Sequence, residues 1–149
     1  MGIAFVSAEA RALYREGPSS ATSRSAGTDL RAALAQESRE IAPGERAVIP
    51  TGVRVQPRTP GYAGFLYSRS GLGARDGLTV AQGVGVIDPD YTGEILVVLL
   101  NTSKEVRRIS RGERIAQLIF QPYARPRFMV TDDLQATDRG AGGFGHSGR

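Results

Sequence analysis

The chain has 149 residues, enough for one domain with a sizeable core. Its formal charge of +4, from 19 basic and 15 acidic side chains, suits an anionic ligand but is too small an excess to argue for duplex DNA. With no cysteine and a single histidine, His146, the sequence excludes disulfides, thiolate chemistry and a His-rich metal site.

The start, MGIAFVSAEA, has neither a basic leading segment nor a long apolar one, so no secretory signal is expected. Met1-Gly2 lacks the hydroxyl residue that myristoylation needs at position 6, where Val6 stands. The longest apolar block, Ile95 to Leu100, is far short of a membrane helix. A cytoplasmic protein with no membrane partner is the expectation. Glycine (19) and proline (8) punctuate short apolar runs, a pattern that predicts an all-β domain. In chain order the strands are expected at 3–6, 28–32, 47–55, 62–67, 78–81, 84–88, 94–101 and 113–122. Turn residues bound them: Ala42-Pro43-Gly44, Pro57 to Gly61, Gly71 to Gly77 and Pro89 to Gly93. A short helical turn is expected within 70–76.

In the strand at 94–101, Ile95, Val97 and Leu99 face one way, and Leu96, Val98 and Leu100 the other. A strand apolar on both faces is covered on both. In one small β domain the second cover is a second sheet, a helix or another subunit. The segment 140–149, GAGGFGHSGR, is too rich in glycine to pack unaided. Division into a domain at 1–138 and a flexible tail at 139–149 is expected.

Five segments carry polar residues that a plain β domain does not need. Ala26-Gly27-Thr28-Asp29-Leu30 places an acid at the start of an apolar strand. Ser68-Arg69-Ser70-Gly71-Leu72 joins a guanidinium, a hydroxyl and glycine N–H groups, the makings of a phosphate clamp. GVIDPDYTGEI, residues 85–95, packs two acids, a proline and a tyrosine into one turn. A surface turn needs no more than Pro89 and one acid beside it. RGERIAQLIF, residues 111–120, holds Gln117 among apolar neighbours. The tail contributes successive glycines between Arg139 and Arg149, with Phe144 among them.

In order and spacing these segments resemble the five motifs of the trimeric dUTPase family, from about Ala26 to Arg149. The resemblance implies a distorted jelly-roll β-barrel assembled as a homotrimer, with sites at subunit interfaces and the tail closing over bound nucleotide. It implies hydrolysis of dUTP to dUMP and pyrophosphate, which limits uracil entry into DNA and supplies dUMP for thymidylate synthesis. Asp88 then matches the general base. Tyr91 matches the ring that lies on the deoxyribose, and backbone around Gly83 and Gly85 pairs with the uracil edge. Arg69, Ser70, Gly71 and Gln117 match phosphate ligands, and Arg139 reaches the terminal phosphate. Phe144 stacks on uracil, while Gly145, His146 and Ser147 line the phosphate chain. Mg²⁺ sits on the triphosphate, with no direct protein ligand and Asp29 acting at most through water. Direct binding to nucleic acid is not implied. A related family, the dCTP deaminases, is disfavoured because its catalytic glutamate aligns with Val98. A non-catalytic nucleotide-binding trimer is the other alternative, and it has no use for Asp88.

Overall fold

The computed structural model describes residues 1–15 and 17–143. Among the described residues, eleven strands and one α-helix form in the order β1 (Gly2–Phe5), α1 (Ala8–Tyr14), β2 (Thr28–Arg31), β3 (Ser38–Ile41), β4 (Arg46–Pro50), β5 (Val53–Gln56), β6 (Tyr62–Ser68), β7 (Leu78–Val80), β8 (Gly85–Ile87), β9 (Leu96–Asn101), β10 (Arg107–Ser110) and β11 (Arg114–Pro122). Pairing is antiparallel throughout, in sheets ordered β2-β11-β6-β8, β4-β9-β7, β1-β5 and β10-β3. Among the described residues these pairings make separate sheets around a common core, without closing into one barrel.

The expected strands are present, with three additions and one break. The helix α1 is an addition. Ser7 caps it in extended backbone, its Oγ accepting from the Ala10 N–H at 3.1 Å. Alanines at 8, 10 and 12 favour the helix, and Ala10 and Tyr14 bury its inner side. Strands β3 and β10 are polar except for Ile41 and Ile109, both fully buried, so their alternation is too brief to read. The break falls inside the expected strand at 47–55. The run VIPTGVRV bends at Thr51-Gly52, where Gly52 has φ +72° and its open side is filled by Ala10. The helical turn expected at 70–76 is a π-helical turn, Gly71–Arg75, with Ser70 before it and Asp76 after it.

Strand β9 carries the centre of the second sheet. Ile95, Val97 and Leu99 are fully buried. Among the described residues its other face is only partly covered: Val98 and Leu100 are half-buried, Leu96 is 47 % exposed, and Val48, on the neighbouring β4, is 54 % exposed. After Pro122 the described residues 123–143 form neither strand nor helix, and Phe128, Met129, Val130 and Leu134 are exposed.

Asn101, at the end of β9, is one of two buried polar residues in the described core. Its Nδ2 donates to the carbonyls of Ile41 (2.8 Å) and Glu105 (2.7 Å). Its Oδ1 accepts from the N–H (2.9 Å) and Oγ (2.7 Å) of Ser103. One side chain thus ties β9 to β3 and shapes the turn at 102–105. Truncation would leave buried groups unpaired. Asn101→Ala should lower the unfolding free energy by about 2–4 kcal/mol, read by urea titration at fixed protein concentration.

Candidate functional site

Three strands of the first sheet bring a set of cations to one face. Asp29 on β2 stands directly opposite Gln117 on β11, which stands opposite Tyr67 on β6. Side chains on directly opposed residues share a face, and so does Arg69, two residues beyond Tyr67. Arg114 reaches the same face by a different route. Three residues from Gln117, it would point away in a regular strand. The register shifts between Arg114 and Ala116, so Ile115 is a bulge residue, and both Ile115 and Ala116 are buried. That extra residue turns Arg114 back toward Asp29.

Asp29 accepts from both guanidinium groups. Its Oδ1 is 2.8 Å from Arg69 Nε and its Oδ2 is 3.0 Å from Arg114 Nη1. Arg69 also donates to the Arg114 carbonyl at 3.3 Å. Arg31, two residues along β2, sends its Nη1 to the Gly112 carbonyl at 2.7 Å. Two guanidinium groups therefore grip one carboxylate, and with Arg31 on the same strand the face is net positive. A cavity of about 870 Å³ opens beside it, lined by Asp29, Arg31, Arg114 and the end of α1. Such a cation cluster suits a polyanion. Gln117 donates its amide to the Ser68 carbonyl at 3.0 Å, and Gly27 makes room for it, since a Cβ there would collide with the Gln117 amide oxygen. Ser70 and Gly71 start the π-helical turn next to Arg69, and a Cβ built on Gly71 meets nothing within 4 Å. The backbone there is open to a ligand.

A second cluster lies around β8. Gly83 takes φ +79° in the turn before the strand, a conformation that favours glycine. Gly85 faces Leu66, where a Cβ would come within 3.1 Å of Leu66 and of Gln82 Nε2. Past β8 the chain turns tightly, the Tyr91 N–H donating to the Asp88 carbonyl at 3.1 Å. A cavity of about 240 Å³ is lined by Leu66, Gln82, Gly85, Asp88, Tyr91 and Glu94. The Tyr91 ring lies against Gly93, and its hydroxyl donates to the Glu94 carbonyl at 2.8 Å.

The two clusters do not meet within one chain. Ile87 pairs with Gly64 near the start of β6, whereas Arg69 follows the last residue of that strand. The separation along β6 is about 17 Å, at a strand rise of about 3.4 Å per residue. Among the described residues no three His, Cys, Asp or Glu side chains gather to hold a metal. Arg139 donates from Nε to the Gly142 carbonyl at 2.8 Å and is exposed. Phe144, Gly145, His146 and Ser147 lie outside the described residues. The motif reading passed over Arg31, Arg114 and Glu94. For Arg114 a signal was present: a charged residue ahead of two successive apolar ones, Ile115-Ala116, marks a strand whose alternation slips.

A family model described as dUTPase matches residues 14–148. Deoxyuridine 5'-triphosphate nucleotidohydrolases of Escherichia coli and Shigella boydii are each 46% identical over 132 residues, covering 89% of this chain and 87% of the relative. Among solved structures, a dUTPase of Staphylococcus bacteriophage 80alpha with dUpNHpp superposes with a TM-score of 0.83 at 29% identity, covering 99% of this chain and 98% of that one. A dUTPase from Streptococcus mutans gives 0.73 at 28% identity, over 86% of this chain and all of the other. The mostly β architecture is thus of the jelly-roll class shared by those structures. With end-to-end similarity in sequence and in fold, the chain belongs to the dUTPase family.

Proposed function

We propose that this chain hydrolyses dUTP to dUMP and pyrophosphate, with Asp88 as the general base that aims and deprotonates the attacking water at the α-phosphorus. The observation that supports this reading is the cavity lined by both Asp88 and Tyr91, in a chain matched to the dUTPase family from residue 14 onward. A carboxylate suits the task, because water must be held and partly deprotonated against a centre already rich in negative charge. Uracil sits against the backbone around Gly83 and Gly85. The Tyr91 ring lies on the deoxyribose and leaves no room for a 2′-hydroxyl. Phosphates run onto Arg69, Ser70, Gly71 and Gln117. Arg139 takes the terminal phosphate, Phe144 stacks on uracil, and Gly145, His146 and Ser147 line the phosphate chain. A core at 1–138 and a closing tail at 139–149 is the division this implies.

Base and clamp must both come within a few Å of the same phosphate. In one chain they are at opposite ends of β6, so a complete site needs a second copy. The open apolar face of Val48 and Leu96 supports the same conclusion, and the assembly is a homotrimer with interface sites. Mg²⁺ arrives as part of the substrate, on the triphosphate oxygens, where it neutralises charge and fixes one shape. Both Asp29 oxygens are engaged by Arg69 and Arg114, so Asp29 does not suit a direct metal ligand and acts on the ion at most through water. By this reading the enzyme works in the cytoplasm, keeping uracil out of DNA and supplying dUMP. Deamination of dCTP has no proton carrier at Val98, which lies on β9 opposite Val48.

Asp88→Asn keeps size and an acceptor but removes basicity, so turnover should fall about 10²–10⁴-fold. Binding of dUpNHpp, followed by calorimetry, should hold. Asp90→Asn is the control and should cost little; the reverse pattern would move the base to Asp90. Tyr91→Ala should narrow the gap between dUTP and UTP in kcat/KM. Co-expression of Asp88→Asn with Arg69→Ala chains should recover about a quarter of wild-type turnover, the chance that a randomly formed interface joins two intact halves. No recovery would place both halves in a single chain.

A further inference from the structure

We propose that Glu94 is a positioning residue for Tyr91, and through it a determinant of sugar selection; the proposal rests on the reading of Tyr91 given above. Glu94 lies between β8 and β9, half-buried, and acts in two directions. Its backbone carbonyl is the acceptor for the Tyr91 hydroxyl, at 2.8 Å. Its carboxylate Oε1 accepts from the Gly52 N–H at 2.6 Å, a charge-assisted bond to a different part of the chain. The next residue is fixed to the same corner. The Ile95 carbonyl accepts from Thr51 Oγ1 at 2.7 Å, and the Ile95 N–H donates to the Val53 carbonyl at 2.9 Å.

The corner is itself held from behind by α1. Tyr14 accepts from the Arg31 N–H and donates to the Thr51 carbonyl, both at 2.8 Å. Gly52 is pressed against Ala10, where no Cβ would fit. A helix, a corner and a carboxylate thus stand in line behind the acceptor of the Tyr91 hydroxyl. The ring also has a floor. A Cβ on Gly93 would lie 2.6 Å from Tyr91 Cζ, closer than any real contact.

Discrimination by steric exclusion works only if the excluding group does not yield. Tyr91 is 43 % exposed, so core packing does not hold its ring. Its fixed points are the Glu94 carbonyl and the Gly93 floor. Losing the Glu94 carboxylate removes one of the bonds that hold that peptide against the corner, leaving those of Ile95, and a ring free to shift by about 1 Å admits the larger sugar.

The test is steady-state kinetics with dUTP and UTP on the wild type and four variants. Glu94→Ala should lower the ratio of kcat/KM for dUTP over UTP by about tenfold, chiefly through KM for dUTP and improved use of UTP. Glu94→Gln, which keeps an acceptor for the Gly52 N–H, should retain the ratio within about threefold. Gly93→Ala pushes on the ring without touching the corner, so it should lower the ratio even if Glu94→Ala folds poorly. A purely structural role would reduce use of both nucleotides alike and leave the ratio unmoved. A wild-type ratio in Glu94→Ala and Gly93→Ala, with a collapsed ratio in Tyr91→Ala, would overturn this proposal alone. A wild-type ratio in Tyr91→Ala as well would overturn the reading of Tyr91 and this proposal with it.

Discussion

The ladder between β6 and β11 is the contact on which the rest of the molecule depends. Seven residue pairs, from Ala116–Ser68 to Pro122–Tyr62, lock the two strands in one register. Slipping it by one residue would send Leu118 to solvent and Gln117 into the core. Each strand then carries a further edge. β11 seats β2, and with it Asp29; β6 seats β8, and with it the turn at Asp88. The same register that groups Asp29, Arg69 and Gln117 therefore holds Asp88 at the far end of the sheet. The division of the site between copies proposed above would then follow from strand pairing and ask nothing of the loops.

Within the cationic face, Asp29 keeps two guanidinium groups from repelling one another. Arg69 and Arg114 converge on its two oxygens while it remains only 12 % exposed. The bulge at Ile115 supplies the geometry and Gly27 supplies the space for Gln117. Each sets where a donor points before a ligand arrives, which reduces the ordering that binding would otherwise require.

Much of this was legible in the sequence. Glycine and proline spacing marks most of the strands, and the motif order names residues of both clusters, though not Arg31, Arg114 or Glu94. The helix at Ala8–Tyr14 is hidden because seven residues give under two turns of periodicity, although Ser7 and the alanines signal its start. The corner at Thr51-Gly52 is hidden inside an apolar run that alternates well on either side of it. Strand 94–101 reads as apolar on both faces, and among the described residues Ile95, Val97 and Leu99 are fully buried while Leu96 on the other face stays exposed. The distance between the two clusters could not be read at all. It depends on which strand lies beside which, and that non-local pairing leaves no mark on local periodicity.

The open face beside Val48 and Leu96 has a consequence for how the molecule behaves on dilution. In the trimer proposed above, that apolar surface ties stability to mass action, since anything that binds only the folded chain stabilises it more as its concentration rises. A newly made chain would meet its first copies while that surface is still wet, and would gain part of its resistance to heat and proteolysis only on meeting them. Tm should then carry a concentration term from the outset, and the nucleotide site would come into being at the same moment as the molecule's full stability.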